Sequence, residues 1–274
     1  MKRILFLTPF APSNRAGGEN FTRLLLEHLS QSFMIDLLYY RYEDDPAYVC
    51  PNANVRVVKE VINSTRVKLW NSLRCPTIHP IFSIRFNKQL LRFVQVLVSD
   101  NDYALMFLDH SQMAMYGEYF PDMPKILMSH DVMAQRFGRS GNWLSKKLIV
   151  DGEGRMMRQK NLIVYSFSEK DRKIIRETYG IDSKVTNFFL DESLVKAEPT
   201  KIEKRIVFFG KWKRPDNFDG LKWFFDTVYE RIDRTMKIVI IGKWLSDDFK
   251  NRISSRSNPN QINQIIVSLS SNIS

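Results

Sequence analysis

Residues 2–9, Lys2-Arg3-Ile4-Leu5-Phe6-Leu7-Thr8-Pro9, decide the fold class of this 274-residue chain. Four consecutive apolar residues closed by Thr8-Pro9 are typical of a short strand that is buried on both faces. A loop containing Gly17 and Gly18 follows, and residues 19–31 then repeat apolar side chains at helical spacing. A buried strand, a loop and an amphipathic helix begin a strand–helix–strand unit, which predicts a parallel sheet.

Short apolar runs and helical patterns alternate along most of the chain. We predict further strands at 35–40, 55–58, 103–108, 125–128, 162–167 and 185–186, and helices at 83–98, 142–160 and 168–179. After a charged, proline-containing stretch the order resumes with a strand at 206–209, a helix at about 217–232 and a strand at 237–241. Repeated strand–helix–strand order favours parallel sheets covered by helices on both faces.

The break between the two series predicts two Rossmann-like domains of unequal size. We expect the first at residues 1–193, a linker at 194–204, and a second, incomplete domain at 205–253. Residues 254–274 are rich in serine and asparagine, which is typical either of a frayed polar tail or of one weak strand.

The net charge of +11, from 41 Lys and Arg against 30 Asp and Glu, calls for an anionic partner. Nucleic acid, an acidic membrane surface and a phosphorylated small substrate are the three candidates. Nucleic acid is disfavoured because no helix-turn-helix, zinc-finger or RNP-like pattern accompanies the charge.

One stretch, residues 61–99, contains basic residues but no Asp or Glu. From Arg66 to Arg92 its cations are interleaved with aromatic and aliphatic side chains such as Trp70 and Phe86. This pattern suits an anionic bilayer, and it equally suits a core helix with a solvated basic face. Both interpretations are open from the sequence.

Composition excludes several classes of protein. With 44% hydrophobic and 12% aromatic residues the chain can bury a core, so wholesale disorder is excluded. No apolar run approaches the ~18 residues of a transmembrane helix. No secretory signal follows Met1, and two cysteines, Cys50 and Cys75, form neither a disulfide framework nor a zinc site. We therefore expect free thiols and a cytoplasmic location.

Candidate site residues follow the predicted strands, because ligands of open α/β sheets bind at the carboxyl ends of the strands. A glycine pair, Gly17-Gly18, lets backbone N–H groups approach an anion, although a tight turn explains it as well. His110 and His130 each follow a strand and could bond a phosphate or sugar hydroxyl, or transfer a proton. A backbone-bonded structural role is favoured for His110, and function for His130 beside Asp131. Metal binding is not indicated.

A second group of candidates is basic. Lys211, Lys213 and Arg214 follow the strand at 206–209. Cations at that place suit a diphosphate whose departure they would neutralise, or they form a solvated loop. The chain contains neither a Walker A lysine motif nor G-x-G-x-x-G.

Taken in order and spacing, these segments resemble the family 4 glycosyltransferases. The similarity runs from about residue 2 to residue 242. Its segments are residues 2–9 with Gly17-Gly18, Phe107 to Ala114, the strand before His130-Asp131-Val132, Val164 to Asp171, Ile206 to Gly210, Pro215 to Gly220, and Trp223-Phe224.

The resemblance implies a GT-B fold and transfer of a sugar from a nucleotide-sugar donor with retention at the anomeric carbon. It implies no metal and no cofactor besides the co-substrate. The N-terminal domain would take the acceptor and the C-terminal domain the nucleotide. By this resemblance Gly17 and Gly18 match the family's glycine loop, His130 the histidine near the reacting sugar, and Lys211 and Arg214 the basic diphosphate-binding positions. We expect His130 to be catalytic, and the residues that bind donor or acceptor to be Gly17, Gly18, His110, Asp131, Lys211 and Arg214.

One departure from the family pattern affects the expected activity. The family's paired glutamates, in a Glu-Pro-Phe-Gly-like stretch that binds the donor, do not occur in this sequence. The chain is therefore expected to be a shortened member, which alone binds donors more weakly than about 1 mM and transfers no measurable sugar.

Two functions from different classes remain open. The first is a glycosyltransferase of surface-polysaccharide assembly, peripheral at the inner face of the membrane, that acts on a glycan or lipid-linked acceptor. The second is a non-catalytic remnant or acceptor-binding subunit that needs an oligomer or a complementing chain. A sugar-nucleotide epimerase on the same fold ranks behind both.

Overall fold

The structure, a computed structural model, describes residues 1–138, 142–187, 204–233, 235–256 and 264–266. The chain divides into two compact units, Met1–Lys196 and Ala197–Ser274. The predicted linker, up to residue 203, and most of the predicted tail lie outside the described residues.

The first unit is built on a sheet in which every paired strand is parallel. In the order β3-β2-β1-β4-β5-β6-β7, the sheet joins seven strands. They are β1 (Lys2–Thr8), β2 (Phe33–Tyr42), β3 (Val55–Asn63), β4 (Leu105–Asp109), β5 (Lys125–Met128), β6 (Leu162–Ser166) and β7 (Lys184–Val185). Each predicted strand of this unit is confirmed within a few residues, except that β3 runs to Asn63 rather than to residue 58.

Helices cover both faces of this sheet. They are α1 (Gly17–Leu29), α2 (Thr65–Leu73), α3 (Pro80–Ser83), α4 (Lys88–Asp100), a 3₁₀ turn at Ser111–Met113, α5 (Ala114–Gly117), α6 (Met133–Gly138), α7 (Trp143–Met157) and α8 (Glu169–Tyr179). Alternate residues of β1 enter opposite cores: Ile4 packs in the layer with α1, and Leu5 packs in the layer with α4 and α7. The apolar run in β1 is thus buried on both faces, as predicted.

The prediction of one continuous helix at 83–98 is wrong. Helix α3 ends at Ser83 and α4 begins at Lys88. Between them Asn87 is extended, and its side-chain oxygen accepts the backbone N–H of Gln89 at 2.8 Å. An asparagine that caps a new helix in this way ends the pattern that apolar spacing alone would continue.

The second unit contains a smaller parallel sheet. Its described strands, in the order β10-β9-β8, are β8 (Arg205–Lys211), β9 (Lys237–Lys243) and β10 (Gln264–Ile266). The helices are α9 (Pro215–Trp223), which continues through π-helical residues 224–228 and a 3₁₀ turn at 229–231, and α10 (Asp247–Arg256). Part of the predicted tail is therefore regular, because α10 reaches residue 256 and residues 264–266 pair with β9.

A buried carboxylate ties three helices of the first unit together. Glu153, on α7, accepts the backbone N–H groups of Met133 and Ala134 at 2.8 and 2.9 Å and the Tyr179 hydroxyl at 2.6 Å. Burial raises the pKa of Glu153, and these three hydrogen bonds oppose the rise. The bonds hold the start of α6, which directly follows the loop carrying His130.

We expect Glu153→Ala to lower the free energy of unfolding by about 2–4 kcal/mol, because each stranded buried group costs about 1–3 kcal/mol. Urea unfolding followed by circular dichroism measures the change. Asp151→Ala, two residues away on the same helix but exposed, is the matched control and should unfold like the parent. Equal stability of the two variants would contradict the role given to Glu153.

Candidate functional site

The carboxyl ends of β1, β4 and β5 bring together three residues singled out from the sequence. Gly18, His110 and His130 meet around Asp109, the last residue of β4, whose side chain is wholly buried. Because β4 lies between β1 and β5 in the sheet, residues that are far apart in the chain become neighbours at this edge.

Asp109 is the centre of the hydrogen-bond network. Its Oδ2 accepts the hydroxyls of Thr8 and Thr22 at 2.8 and 2.7 Å, and its Oδ1 lies 2.7 Å from Nε2 of His130. Burial opposes ionisation, but the neighbouring His110 and His130 and the hydrogen bonds from His130 and Thr22 outweigh it and lower the pKa of Asp109 to about 2. A charged carboxylate accepts, so Nε2 of His130 carries the proton, and Nδ1 is left for another partner.

His110 lies flat against His130. The ring centroids are 3.4 Å apart and the planes differ by 9°. The backbone of His110 has a φ of 65° and a ψ of 147°, a conformation that is almost confined to glycine and costs about 1–3 kcal/mol. Burial lowers the pKa of His110 to about 3, although Asp109 opposes this, and its buried Nε2 has no hydrogen-bond partner. His110 is therefore neutral at physiological pH.

The start of α1 touches the two stacked rings. A Cβ atom on Gly18 would lie 3.3 Å from Cε1 of His110 and 3.8 Å from Nδ1 of His130. Gly17 has no such neighbour within 4 Å. Phe21, one turn along α1, meets His130 edge-on with 5.3 Å between centroids. Glycine at position 18 thus lets the helix approach the imidazoles, whereas position 17 is open.

The acid that contacts His130 is Asp109 and not the neighbouring Asp131. The Asp131 side chain is exposed and pairs with Arg136 at 3.1 Å. Asp109 is not among the residues singled out from the sequence. The signals for it were its place after a buried strand and the polar Thr8 at the end of the adjacent strand, because a buried carboxylate needs donors.

Lys211 and Arg214 lie in the second unit. Lys211 ends β8, and Arg214 precedes α9 with an exposed side chain 3.7 Å from Asp216. The Asn217 side chain donates to the backbone carbonyl of Lys211 at 3.1 Å, which holds the turn between strand and helix. The two cations thus flank one strand-to-helix turn.

A metal ion fits this histidine pair poorly, although ligand atoms of Asp109, His110 and His130 all lie within 4.8 Å of one another. An imidazole binds a metal in the plane of its ring. Two parallel rings stacked 3.4 Å apart cannot both hold one ion in plane.

Comparison with known proteins gives a likeness in structure only. No protein-family model matches the sequence, and no curated protein matches it. Among solved structures, the chain resembles sucrose-phosphate synthase from Thermosynechococcus elongatus (11% identity, 93% of this chain and 67% of that one, TM-score 0.56). It also resembles HepE from Anabaena in complex with UDP (14% identity, 93% of this chain and 65% of that one, TM-score 0.57). A further similar structure is the catalytic domain of starch synthase IV from Arabidopsis thaliana bound to ADP and acarbose (9% identity, 98% of this chain and 74% of that one, TM-score 0.58).

These structures are glycosyltransferases of the GT-B fold. The predicted α/β, GT-B-like fold is thereby confirmed. The chain spans about two thirds of the length of the solved structures it matches.

The neutral, half-buried His110 should make folding sensitive to acid. In the unfolded chain a histidine takes up a proton near pH 6.5, whereas in the folded protein the pKa of His110 is about 3. Between these values the unfolded state binds the extra proton, so stability falls as the pH is lowered, by up to about 1.4 kcal/mol per pH unit.

We expect His110→Asn to reduce this slope, since asparagine does not titrate. Urea unfolding at about pH 7, 6 and 5 measures the slope in both proteins. His79→Asn is the control, because burial lowers the pKa of His79 as well. Removing His79 should leave the contribution of His110 to the slope unchanged. Parallel slopes in the parent and His110→Asn would contradict the expectation.

Proposed function

We propose that the chain is a retaining glycosyltransferase of family 4 that transfers a sugar from a nucleotide-sugar donor, without a metal or other cofactor. The acceptor is a glycan or lipid-linked molecule of surface-polysaccharide assembly. The observation that carries the proposal is the Asp109–His130 pair against the glycine at the start of α1, at the carboxyl edge of the sheet of a GT-B-like fold.

In this proposal His130 is the residue that touches the reacting sugar. Asp109 fixes the ring through Nε2, and Nδ1, which lies on the Gly18 side, bonds a hydroxyl of the transferred sugar. A positioned imidazole of this kind acts through orientation and polarity, because its geometry is set before the substrate arrives.

The donor is proposed to be a UDP-, ADP- or GDP-sugar. HepE has been solved with UDP and with UDP-glucose, and starch synthase IV with ADP, which supports a nucleotide-bound donor for a chain of this fold. Lys211 and Arg214 would meet the diphosphate of that donor and neutralise its charge as it departs.

His130→Gln tests the proposal, because a glutamine Nε2 can keep the bond to Asp109 while the imidazole is removed. We expect the melting temperature to change little and the rate of nucleotide release from a sugar donor to fall at least 100-fold, as for lost general acid–base or positioning groups. Release of UDP from millimolar UDP-sugars, with GDP- and ADP-sugars as further arms, is the measurement.

Asp131→Asn is the matched control for this test, since the Asp131 side chain is exposed and pairs with Arg136. It should release nucleotide at the parental rate. Equal and measurable rates for the parent and His130→Gln would refute the assignment of His130. Acceptor binding with neither donor binding nor transfer would make the chain an acceptor-binding subunit.

The membrane side of the proposal rests on α2. Of its residues only Asn71 is buried, where its amide donates to the carbonyl of Ile84 at 3.1 Å. Leu69, Trp70 and Leu73 are 62%, 57% and 64% exposed. Three large apolar side chains on one exposed helix are typical of a contact surface, and here the cations around them favour an anionic membrane.

Two arginines of α2 and a lysine of α4 border one cleft. Arg66, Trp70, Arg74 and Lys88 line a cleft of about 520 Å³, and the guanidinium of Arg74 lies over the Trp70 ring at 4.7 Å. Helix α4 differs, because its Leu90, Leu91 and Val94 are buried in the core. The basic stretch of the sequence therefore divides into a surface helix, α2, and a core helix with a solvated face, α4.

No helix within the described ranges is long and apolar enough to cross a membrane.

We expect the chain to float with phosphatidylserine vesicles at low salt and not with phosphatidylcholine vesicles, each cation contributing about 1 kcal/mol near an anionic surface. Trp70→Ala with Leu73→Ala should reduce the bound fraction strongly. Trp223→Ala removes an equally exposed tryptophan from the second unit and is the control. Binding that ignores lipid charge, or that survives the double substitution, would exclude α2 as the membrane contact.

A further inference from the structure

Arg85 is a buried cation without a charged partner. It lies between α3 and α4 and is only 3% exposed. Its Nε and Nη1 are both buried and have no hydrogen-bond partner, and no carboxylate of the described residues forms an ion pair with it. An unpaired buried charge is costly, since no group of opposite charge replaces the water it loses.

The surroundings of Arg85 place it beside the histidine pair. Its guanidinium lies over the rings of Phe10 and Tyr40 at 5.5 and 5.4 Å. Phe10 in turn meets His110 edge-on, with 5.3 Å between centroids. Two aromatic faces recover only part of the lost hydration of a guanidinium. Burial lowers the pKa of Arg85, and the hydroxyl of Tyr42 opposes this.

Further buried polar groups without partners lie on the segments around Arg85. Both amide atoms of Asn63 are unsatisfied; Asn63 ends β3 opposite Tyr42, the last residue of β2. The hydroxyls of Ser83, on α3, and Ser111, in the 3₁₀ turn that packs against α3, are unsatisfied as well. Buried polar groups normally have partners, so these unsatisfied groups, together with one unpaired cation, indicate a missing polar ligand.

Four residues of this region lie at the carboxyl edge of the sheet. Tyr42 and Asn63 end β2 and β3, Phe10 follows β1, and His110 follows β4. This is the edge where open α/β sheets bind their ligands. The unpaired cation therefore continues the site of His110 and His130 toward β2 and β3.

We propose that Arg85 binds an oxyanion, a phosphate or carboxylate, carried by the acceptor. Assigning that anion to the acceptor rests on the proposed function, in which the diphosphate of the donor meets Lys211 and Arg214 of the second unit. The guanidinium supplies a charge and two donor nitrogens, Nε and Nη1, that have no partner within the chain. Phe10, on the non-helical segment between β1 and α1, covers the guanidinium and is the ring that the anion displaces.

An arginine that binds an anion and one that only packs between rings respond differently to substitution. If Arg85 only packs between two rings, Arg85→Met should lower the melting temperature. If its role is to bind an anion, removing the unpaired charge should leave the melting temperature unchanged or raise it. Anions should then no longer raise the melting temperature of the variant.

The experiment is thermal unfolding of the full chain in inorganic phosphate, in acetate and in potassium chloride of matched ionic strength. We expect phosphate or acetate to raise the melting temperature of the parent and of Arg92→Met, which removes an exposed cation of α4. Arg85→Met should lose the increase, and Arg85→Lys, which keeps the charge but fewer donors, should need at least tenfold more anion. The two arms separate a phosphorylated acceptor from an acidic one.

No increase with either anion, or the same increase in Arg85→Met, would overturn the proposal. If Arg85→Met does not fold, the comparison of Arg85→Lys with the parent decides. The titration contains no nucleotide sugar, so its result is separate from the transfer assay. Anion binding without sugar transfer would refute the proposed function and leave the anion site; transfer without the anion effect would refute this site alone.

Discussion

The geometry of the first unit depends on one buried negative charge. A carboxylate with no exposed surface is stable only if donors surround it, and Asp109 obtains them from Thr8, Thr22 and His130. These donors belong to β1, to α1 and to the loop after β5, so satisfying Asp109 sets where the helix begins relative to the sheet. The close approach of Gly18 to the stacked rings follows from the same requirement.

His110 shows what this arrangement costs. It adopts a backbone conformation suited to glycine, is kept neutral by burial, and contributes no bond from Nε2. Arg85 nearby is also unfavourable, because its buried Nε and Nη1 have no hydrogen-bond partner. Unfavourable conformations and unsatisfied polar groups that gather at the ligand-binding edge of a sheet are typical of sites shaped for a substrate rather than for stability.

Much of the fold could be predicted from local patterns, and much of the site could not. Buried strands such as β1 and β5 can be recognised in the sequence as apolar runs, because both faces of a parallel sheet are covered. Whether Asp109 or Asp131 turns inward depends on β4 lying next to β1, which no local pattern specifies. The break at Asn87 was missed because apolar spacing continues across it. Arg85 lies in the basic stretch from Arg66 to Arg92, and the sequence does not show which cation of that stretch is buried.

The three hydrogen bonds of Glu153 also have a consequence for motion. Helix α6 has only six residues, too few to be stable alone, and its first two N–H groups bond to a side chain on α7. The two helices therefore belong to one cooperative opening unit, and the amide protons at the start of α6 exchange with solvent only when that unit opens. The loop that carries His130 leads directly into this unit, so one end of the loop is anchored as firmly as the core itself.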